Sequence, residues 1–357
     1  MRLSYVMSLL AFLAVLPSAK AVTIQTSPVG NPGNAPDSVF GSFGAVPYRY
    51  NIGTYDVTNT QYAEFLNATA TTLDPFGLYN ANMGSNMNGG IVRSGQTSYA
   101  YEVKPGYANK PVVFVSWYDT IRFANWLTNG QGSSDTESGT YAITNGGLNS
   151  GSVALPSVTQ RGVWAQSGPT HWLLPSEDEW YKAAYYKGGG PNSGYWRYPF
   201  RSDGGVDITS APPPGGSLSS NFYDGSYAFT RSSTFDATQV YLTDVGAYTS
   251  AFSPYGAFDM GGNVWQWNEA LIGSVPRGVR GGSWGGLLYY MDSEYRERFT
   301  DPKGEGPFTG FRVANVTSVP EPESLTLLFA AGIVLTIWRR FTSNRAKCCS
   351  ADASEPS

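Results

Sequence analysis

The stretch YGAFDMGGNVWQWNEA, residues 255–270, gives the strongest local indication of the fold. Gly261 and Gly262 permit a sharp turn, because a residue without a Cβ tolerates backbone angles that other residues avoid. Trp265 and Trp267 follow at alternate positions, so a strand would place both indoles on one face of a sheet. The pattern predicts a glycine corner that leads into a strand, and composition alone favours a structural role for it.

Three further segments carry the start signal of a helix. In each, Ser or Thr is followed three residues later by Gln, Asp or Glu, so that its oxygen can accept a hydrogen bond from the first turn. The segments are residues 58–68, 116–130 and 175–190, with Thr58 and Gln61, Ser116 and Asp119, and Ser176 and Glu179 as the pairs. All three are amphipathic and must therefore pack against another element.

Short runs of β-forming residues lie between these helices. They cover residues 111–117, 140–143, 278–284 and 310–314. Residues 130–139 and 211–220 are rich in Gly, Pro and Ser and predict surface loops. A few helices, short strands and much irregular chain indicate the α+β class.

Composition limits the classes of function. The chain has 357 residues, of which 41% are hydrophobic and 14% charged, and we predict one large domain over residues 22–317. A net charge of −4 leaves no basic surface for nucleic acid, so we expect no nucleic-acid partner. His171 is the only histidine, and Cys348 and Cys349 are the only cysteines. A histidine cluster is therefore excluded, and the predicted domain has no internal disulfide.

Six segments, taken in order, resemble the sulfatase-modifying-factor family, whose fold is that of the formylglycine-generating enzyme and is a variant of the C-type lectin fold. They are YDVTNTQYAEFLNA, PVVFVSWYDTIRFANWL, LLPSEDEWYKAAYY, FDMGGNVWQW, VRGGSW and GFRVA, and they extend over roughly residues 48–314. The resemblance implies a loop-rich α+β fold with short strands and a few helices. It implies less about activity, because one fold hosts many functions.

The resemblance also places a redox-metal site. The formylglycine-generating enzyme oxidises a substrate cysteine with copper held by two cysteines that follow the segment matching Gly-Gly-Ser-Trp. Ungapped placement from Ser283 puts these positions on Gly286 and Met291, and neither residue can be a thiolate. Because this copper site needs paired sulfurs, we expect no copper and no oxidase reaction. Another branch of the family uses a histidine-rich iron site, which one histidine cannot form.

Calcium is the candidate cofactor that the resemblance leaves. In the family, the turn matching residues 259–266 surrounds a structural calcium. Carried over, Asp259 and Gln266 would give side-chain oxygens and Gly262 and Val264 backbone carbonyls, the all-oxygen set that calcium prefers. Gln266 stands where many relatives have Glu, so binding should be weakened. The alternative is that Asp259 caps the turn and no ion binds.

A second calcium site of the family matches Asn221 and Phe222, with Asp244 as the candidate acidic partner. Glu177, Asp178 and Glu179 could be an acid/base group, but their place at a helix start favours interaction with the helix dipole.

Two further residues are candidates for a chemical role. We expect His171 to be a packed or surface histidine. We expect no nucleophile elbow at Ser283, although GGSWG (residues 281–285) has Gly-x-Ser-x-Gly spacing, and because no histidine neighbours it in the sequence we reject it as a nucleophile.

The N-terminus, MRLSYVMSLLAFLAVLPSAKA, predicts a signal peptide over residues 1–21. Arg2 precedes an apolar run, and Ala19 and Ala21 form an A-x-A site for cleavage by signal peptidase. The alternative is a buried first helix.

Residues 318–340 resemble the PEP-CTERM sorting signal of Gram-negative bacteria, on which an exosortase acts. The residues that carry the resemblance are Pro320, Glu321, Pro322, Arg339 and Arg340. The apolar run between them would extend about 21 Å as a helix, against roughly 30 Å of hydrocarbon core, and flanking arginines could lengthen it to a thin span. We predict a transmembrane helix here and a cytoplasmic tail over residues 341–357. A core helix that ends the domain is the alternative.

These observations give three hypotheses. The preferred one is an exported, non-catalytic binding or structural protein of the bacterial cell surface or extracellular matrix. It would present variable loops around residues 75–100, 130–170 and 200–250, and these loops would bind a glycan or another protein. The second is an oxidase of the formylglycine-generating type that acts on a protein cysteine. The third is a periplasmic accessory protein anchored by an uncut C-terminal helix.

Overall fold

The computed structural model describes residues 21–133, 135–297 and 300–318. The predicted sorting signal, the cytoplasmic tail and all of the signal peptide except Ala21 lie outside the described residues. Within the described ranges, no helix has the length and apolar character needed to cross a membrane.

Two sheets form the centre of the domain, and three two-stranded ribbons surround them. The strands are β1 (Thr26–Val29), β2 (Tyr50–Gly53), β3 (Ile91–Ser94), β4 (Ala100–Val103), β5 (Ala142–Gly147), β6 (Ser150–Ala154), β7 (His171–Leu173), β8 (Thr209–Ser210), β9 (Ser219–Ser220), β10 (Trp265–Leu271), β11 (Arg277–Arg280), β12 (Thr309–Gly310) and β13 (Ala314–Val316). The larger sheet has the order β1-β2-β13-β7 and is antiparallel, so it joins the two ends of the domain. The smaller sheet, β11-β10-β12, contains the strand predicted from the two alternating tryptophans.

The three predicted helices are present, and each begins at its predicted cap. They are α1 (Asn59–Thr69), α3 (Trp117–Thr128) and α5 (Glu177–Tyr185). In all three, the cap hydroxyl accepts a hydrogen bond from the backbone N–H three residues later, and the side chain of that later residue accepts one from the cap N–H. Reciprocal bonds of this kind satisfy two orphan donors of the first turn.

Two helices, α2 (Asn82–Ser85) and α4 (Val158–Gln166), were not predicted. The start of α4 carries a usable signal, because Ser157 precedes Gln160 at cap spacing and its hydroxyl accepts from the Gln160 N–H at 3.1 Å. All three segments predicted as binding loops hold regular structure. β3 lies in the first and pairs with β4 at its end, β5, β6 and α4 lie in the second, and β8 pairs with β9 in the third.

The predicted strand over residues 111–117 is wrong. Val112 to Val115 are buried, but the backbone N–H of Val112 bonds to Val57 and that of Phe114 bonds to Gly306. Phe114 also has a φ of 61°, which interrupts an extended chain. The predicted strand over 310–314 is split in the structure, because β12 ends at Gly310 in one sheet and β13 begins at Ala314 in the other.

Indole rings fill the core between the helices and the smaller sheet. The fully or almost fully buried tryptophans are Trp117, Trp126, Trp180, Trp267 and Trp284. Their N–H groups also join α3 and the segment before it to β10: Trp117 donates to the Asn268 carbonyl at 3.0 Å and Trp267 to the Val115 carbonyl at 3.1 Å. The observed architecture is the loop-rich α+β fold that the sequence predicts.

Gly262 provides a test of the glycine corner. Its φ is 81°, and an added Cβ would lie 2.5 Å from the Asn221 carbonyl oxygen. Gly225 has a φ of 108° but open space around it, so Gly225→Ala introduces backbone strain without a steric clash. We expect Gly225→Ala to cost about 1 kcal/mol and Gly262→Ala about 2–4 kcal/mol, because overpacking is added to strain. Urea unfolding of both variants measures the difference, and equal losses would contradict a packed corner.

Candidate functional site

The glycine corner over residues 259–266 is closed by backbone conformations that few residues adopt. Asp259, Gly262 and Asn263 all have positive φ, at 55°, 81° and 62°. Asn263 is tied to a neighbouring segment, because its N–H donates to the Asn221 carbonyl at 2.8 Å and its side-chain oxygen accepts from Asn221 Nδ2 at 3.0 Å. The corner and residues 220–222 therefore form one packed unit.

Gln266 lies at the centre of this unit and is fully buried. Its Oε1 accepts from Trp180 Nε1 and from Arg312 Nε, both at 2.7 Å, and its Nε2 donates to the Asp259 carbonyl at 2.5 Å. Both lone pairs of the amide oxygen are thus used. The guanidinium cation of Arg312 contacts that oxygen. A calcium ion bound by the same oxygen would therefore lie next to another cation. The predicted set with Asp259, Gly262 and Val264 therefore does not fit a calcium ion held through Gln266.

The carboxylate of Asp259 binds the backbone of a neighbouring segment. Its Oδ2 accepts from the Gly246 N–H at 2.7 Å, and burial raises the pKa of its carboxyl to about 6, against the opposing effects of that hydrogen bond and of Arg312. This hydrogen bond joins the corner to the segment at Gly246 and is not a cap within the turn of residues 259–266.

The second predicted calcium set is also engaged by the protein. Asn221 Nδ2 donates to the Tyr241 carbonyl at 2.8 Å, and the Phe222 carbonyl accepts from the Ser210 hydroxyl at 2.5 Å. Asp244 pairs with Lys110, with 3.1 Å between Oδ1 and Nζ. Among the described residues, no group of three or more His, Cys, Asp or Glu side chains is placed to hold a metal ion.

The two positions that the resemblance assigns to copper cysteines lie in packed surroundings. Met291 is fully buried in an apolar cluster whose other members are Tyr198, Phe200, Ile208, Phe222, Tyr248 and Ala251. Gly286 lies against Tyr290, since an added Cβ would come within 2.9 Å of its ring. The thioether is a core side chain here, and no cysteine lies in the described part of the chain.

The acidic start of α5 forms ion pairs. Glu177 binds Arg280 at 2.7 Å and also pairs with Arg296, while Glu179 binds Arg161 at 2.6 Å. Asp178 Oδ1 accepts from the Gly44 N–H at 2.8 Å. These contacts add to the expected interaction with the helix N-terminus and leave the three residues in structural roles.

The other two singled-out residues also lie in packed places. His171 stacks on Trp164, with 3.9 Å between ring centroids, and partial burial lowers the pKa of its imidazole. Ser283 is buried, and its carbonyl accepts from the Gly286 N–H at 2.9 Å.

Sequence reasoning missed a buried ionic network around Arg161. This guanidinium lies between Glu179 and Glu269. Each carboxylate also accepts a hydrogen bond from a phenol O–H, Glu179 from Tyr48 and Glu269 from Tyr141. The partners are 18 and 108 residues away from Arg161 in the chain, and no local pattern connects them.

Sequence reasoning also missed a stack of four aromatic rings that reaches the surface beside Gly285 and Gly286. Phe235, Tyr241, Trp284 and Phe308, here called the aromatic stack, have successive centroid distances of 5.3, 4.6 and 4.6 Å and interplanar angles of 25° or less. Phe235 is 52% exposed and Phe308 40% exposed. The Phe308 ring lies over Gly285, where an added Cβ would come within 3.0 Å of it.

Comparison with known families decides the classification. The family model described as "Sulfatase-modifying factor enzyme 1-like domain" matches residues 45–317, which is most of the chain. The chain belongs to this family. The sulfatase-modifying-factor fold expected from the six sequence segments is therefore confirmed.

Solved structures include similar chains at low identity. Treponema denticola variable protein 1 is 16% identical with a TM-score of 0.46, and the match covers 84% of this chain and 97% of that one. A structure titled CarF is 18% identical with a TM-score of 0.47 and coverage of 84% and 99%. PvdO from Pseudomonas aeruginosa is 18% identical with a TM-score of 0.43 and coverage of 82% and 91%. No curated protein matches the chain.

Buried carboxyl groups predict how the stability of this family member depends on pH. Burial raises the pKa of Asp56 to about 8 from a value of 3.8, against the opposing effect of Arg312. The folded state then holds a proton that the unfolded chain has lost, so stability falls as pH rises toward 8. His171 acts in the opposite direction only below its ordinary pKa of 6.5, and Lys182, whose pKa burial lowers to about 8, only above pH 8.

We therefore expect the free energy of unfolding to decrease between about pH 6.5 and pH 8. Asp56→Asn should make this decrease shallower, whereas Glu102→Gln, at an exposed position, should leave the slope unchanged. Chemical unfolding at several pH values measures it, and a slope that is equal in Asp56→Asn and the parent would refute the assignment to Asp56.

Proposed function

We propose that this family member is an exported, non-catalytic protein with a binding or structural role at the bacterial cell surface or in the extracellular matrix. One observation carries the proposal: the two positions that correspond to copper thiolates hold Gly286 and the buried thioether of Met291. A thiolate is the copper ligand and a methionine in an apolar core cannot replace a pair of them.

The buried charges support the same conclusion. Arg161, Arg280 and Arg312 each hold carboxylates at the core and each is almost completely buried. Buried pairs of this kind join distant segments, and breaking one is costly because a charge is left without a partner. We infer that these three arginines and their carboxylate partners have structural roles.

The aromatic stack supports a binding role. Exposed apolar area that is grouped on one surface marks an interaction site more often than scattered residues do. Leu287 and Tyr289, 53% and 54% exposed, continue the segment that carries Trp284 and Gly286. The surface that in relatives follows the Gly-Gly-Ser-Trp segment is therefore apolar and aromatic here, and suits a glycan or a protein ligand.

The proposed location rests on the two ends of the chain. Signal peptidase would cleave after Ala21, and an exosortase would act near Pro320–Glu321–Pro322 once the following helix had entered the inner membrane. The alternative, a membrane-anchored periplasmic accessory protein, keeps that helix. Intact mass of the native protein separates the two: a C-terminus near Pro320 supports sorting, and a C-terminus at Ser357 supports retention.

The oxidase alternative is tested directly by turnover. We expect purified protein, loaded with copper and given oxygen and a cysteine-containing peptide, to produce no formylglycine. Cys348→Ser/Cys349→Ser serves as the matched control, because these two thiols are the only ones that could bind adventitious copper. Mass spectrometry of the peptide measures the product. Robust turnover by this double variant would overturn the proposal.

The binding role is tested on the aromatic stack. Phe235→Ala/Phe308→Ala should reduce retention on isolated extracellular polysaccharide of the producing bacterium by about tenfold or more, since each aromatic contact contributes about 0.5–1.5 kcal/mol. Val206→Ala, at a position that is 95% exposed and outside the stack, is the control. Co-sedimentation measures retention. Unchanged retention of the double variant would remove the aromatic stack, and a glycan at this surface, from the proposal.

A further inference from the structure

The N-terminal segment before β1 is bound to the surface of the domain in an extended form. Exposure alternates along it: Val22 and Ile24 are half-buried and pack against the hydrophobic core, and the residues on either side of them are exposed. Gln61 Nε2 donates to the Thr23 carbonyl at 3.0 Å. Close contact with the domain therefore begins at Val22, directly after the exposed Ala21.

The side chain of Gln131 binds both backbone groups of Val22. Its Oε1 accepts from the Val22 nitrogen at 2.6 Å, and its Nε2 donates to the Val22 carbonyl at 3.0 Å. Gln131 has a φ of 64°, in the left-handed region that is unfavourable for a residue with a Cβ. Such a backbone conformation persists where the surrounding contacts enforce it, and the paired hydrogen bonds to Val22 are contacts of this kind.

The position of Gln131 favours positive charge on the group that it binds. Gln131 follows the C-terminal end of α3, and its N–H donates to the Trp126 carbonyl at 2.9 Å. The C-terminal end of a helix carries partial negative charge and is stabilised by a nearby cation. The last turn of α3 contains no basic residue. The helix itself therefore supplies no cation at this end.

Val22 also lines a cavity of about 760 Å³ that has acidic residues in its wall. Glu64 on α1 is one of them, and the described residues that line the cavity include no lysine or arginine. The other two acidic residues, Asp56 and Asp244, are paired with an arginine and a lysine from outside the wall. The cavity therefore favours positive charge at the Val22 nitrogen.

We propose that Gln131 and the end of α3 form an acceptor site for the α-ammonium group of the processed chain, with Val22 as its first residue. The inference rests on the export part of the proposed function, which places signal-peptidase cleavage after Ala21. Hydrolysis breaks the Ala21–Val22 peptide bond: water supplies the new carboxylate oxygen of Ala21 and a proton to the Val22 nitrogen. The resulting α-amino group takes up a further proton at pH 7.

The site distinguishes the processed chain from its precursor. Before cleavage the Val22 nitrogen is a neutral amide, and after cleavage it is a cation. A hydrogen bond from a charged donor is roughly twice as strong as one from a neutral donor, so the bond to Gln131 Oε1 is strengthened. Only the cation gains from Glu64 and from the end of α3. Cleavage therefore tightens the attachment of the N-terminal segment to the domain.

Thermal unfolding of two forms of the protein tests the proposal. One begins at Val22 and the other at Ala21, both keep the C-terminus at Ser357, and each is released from a fusion partner by a protease that leaves no extra residue. We expect the midpoint of unfolding of the Val22 form to be about 2 °C higher, because one added residue moves the charge away from Gln131.

Variants show whether this difference depends on the proposed contacts. Gln131→Ala should abolish it, Gln131→Glu should enlarge it by placing a carboxylate against the ammonium, and Glu64→Gln should reduce it. Glu102→Gln, at an exposed position on β4 outside the cavity wall, is the control and should leave it unchanged. Because the two forms are compared within each variant, a general loss of stability cancels.

Equal midpoints for the two forms, or a difference that persists undiminished in Gln131→Ala, would overturn the proposal. If Gln131→Ala does not fold, pH decides the question: the difference should disappear by about pH 10, where an α-amino group is neutral, and a difference that remains there would overturn the proposal. N-terminal sequencing of the native protein tests the export proposal separately. A first residue other than Val22 would contradict cleavage after Ala21, whereas the unfolding comparison alone decides whether the site binds an ammonium group.

Discussion

The guanidinium of Arg312 connects the parts of this fold that are most distant in sequence. It lies in the segment between β12 and β13, is fully buried, and donates to Gly53, Asp56, Phe258 and Gln266. Through Gln266 it also orders the indole of Trp180 on α5. One positive charge thus joins the first sheet, the glycine corner and a helix. Removing it would leave Asp56 Oδ1 and the Gly53 and Phe258 carbonyl oxygens without this donor, and each buried acceptor left unsatisfied typically costs about 1–3 kcal/mol.

The same contact determines what the amide of Gln266 does in the glycine corner. Gln266 has an amide at the position where the resemblance implies a carboxylate in many relatives. This amide accepts hydrogen bonds from Trp180 and Arg312 and donates one to the Asp259 carbonyl. A carboxylate could not make that donation. The substitution is therefore matched to a hydrogen-bonded corner, and the shape of the corner is retained by Gly262 and Asn263 without a ligand set centred on Gln266.

Local signals were sufficient for much of the fold. Cap pairs such as Ser176 with Glu179 place helix starts because the bonding partners are three residues apart. Residues 111–117 were misjudged because Phe114 adopts a positive φ, and a β-rich composition does not reveal that. The candidate site was less predictable. The partners of Gln266, Arg161 and Asp56 are separated from them by up to 256 residues, so their pairing depends on tertiary packing. A cap signal at Ser157 was readable, and would have placed Arg161 on a helix.

We propose that this member of the sulfatase-modifying-factor family keeps the fold but has Gly286 and Met291 at the positions that the resemblance assigns to the redox-metal ligands. Copper quantification by mass spectrometry tests it most directly, on Cys348→Ser/Cys349→Ser protein incubated with copper under reducing conditions and then desalted. We expect substoichiometric copper that Met291→Leu does not alter, because the thioether packs in an apolar cluster. One tightly held copper per chain that Met291→Leu abolishes would contradict it.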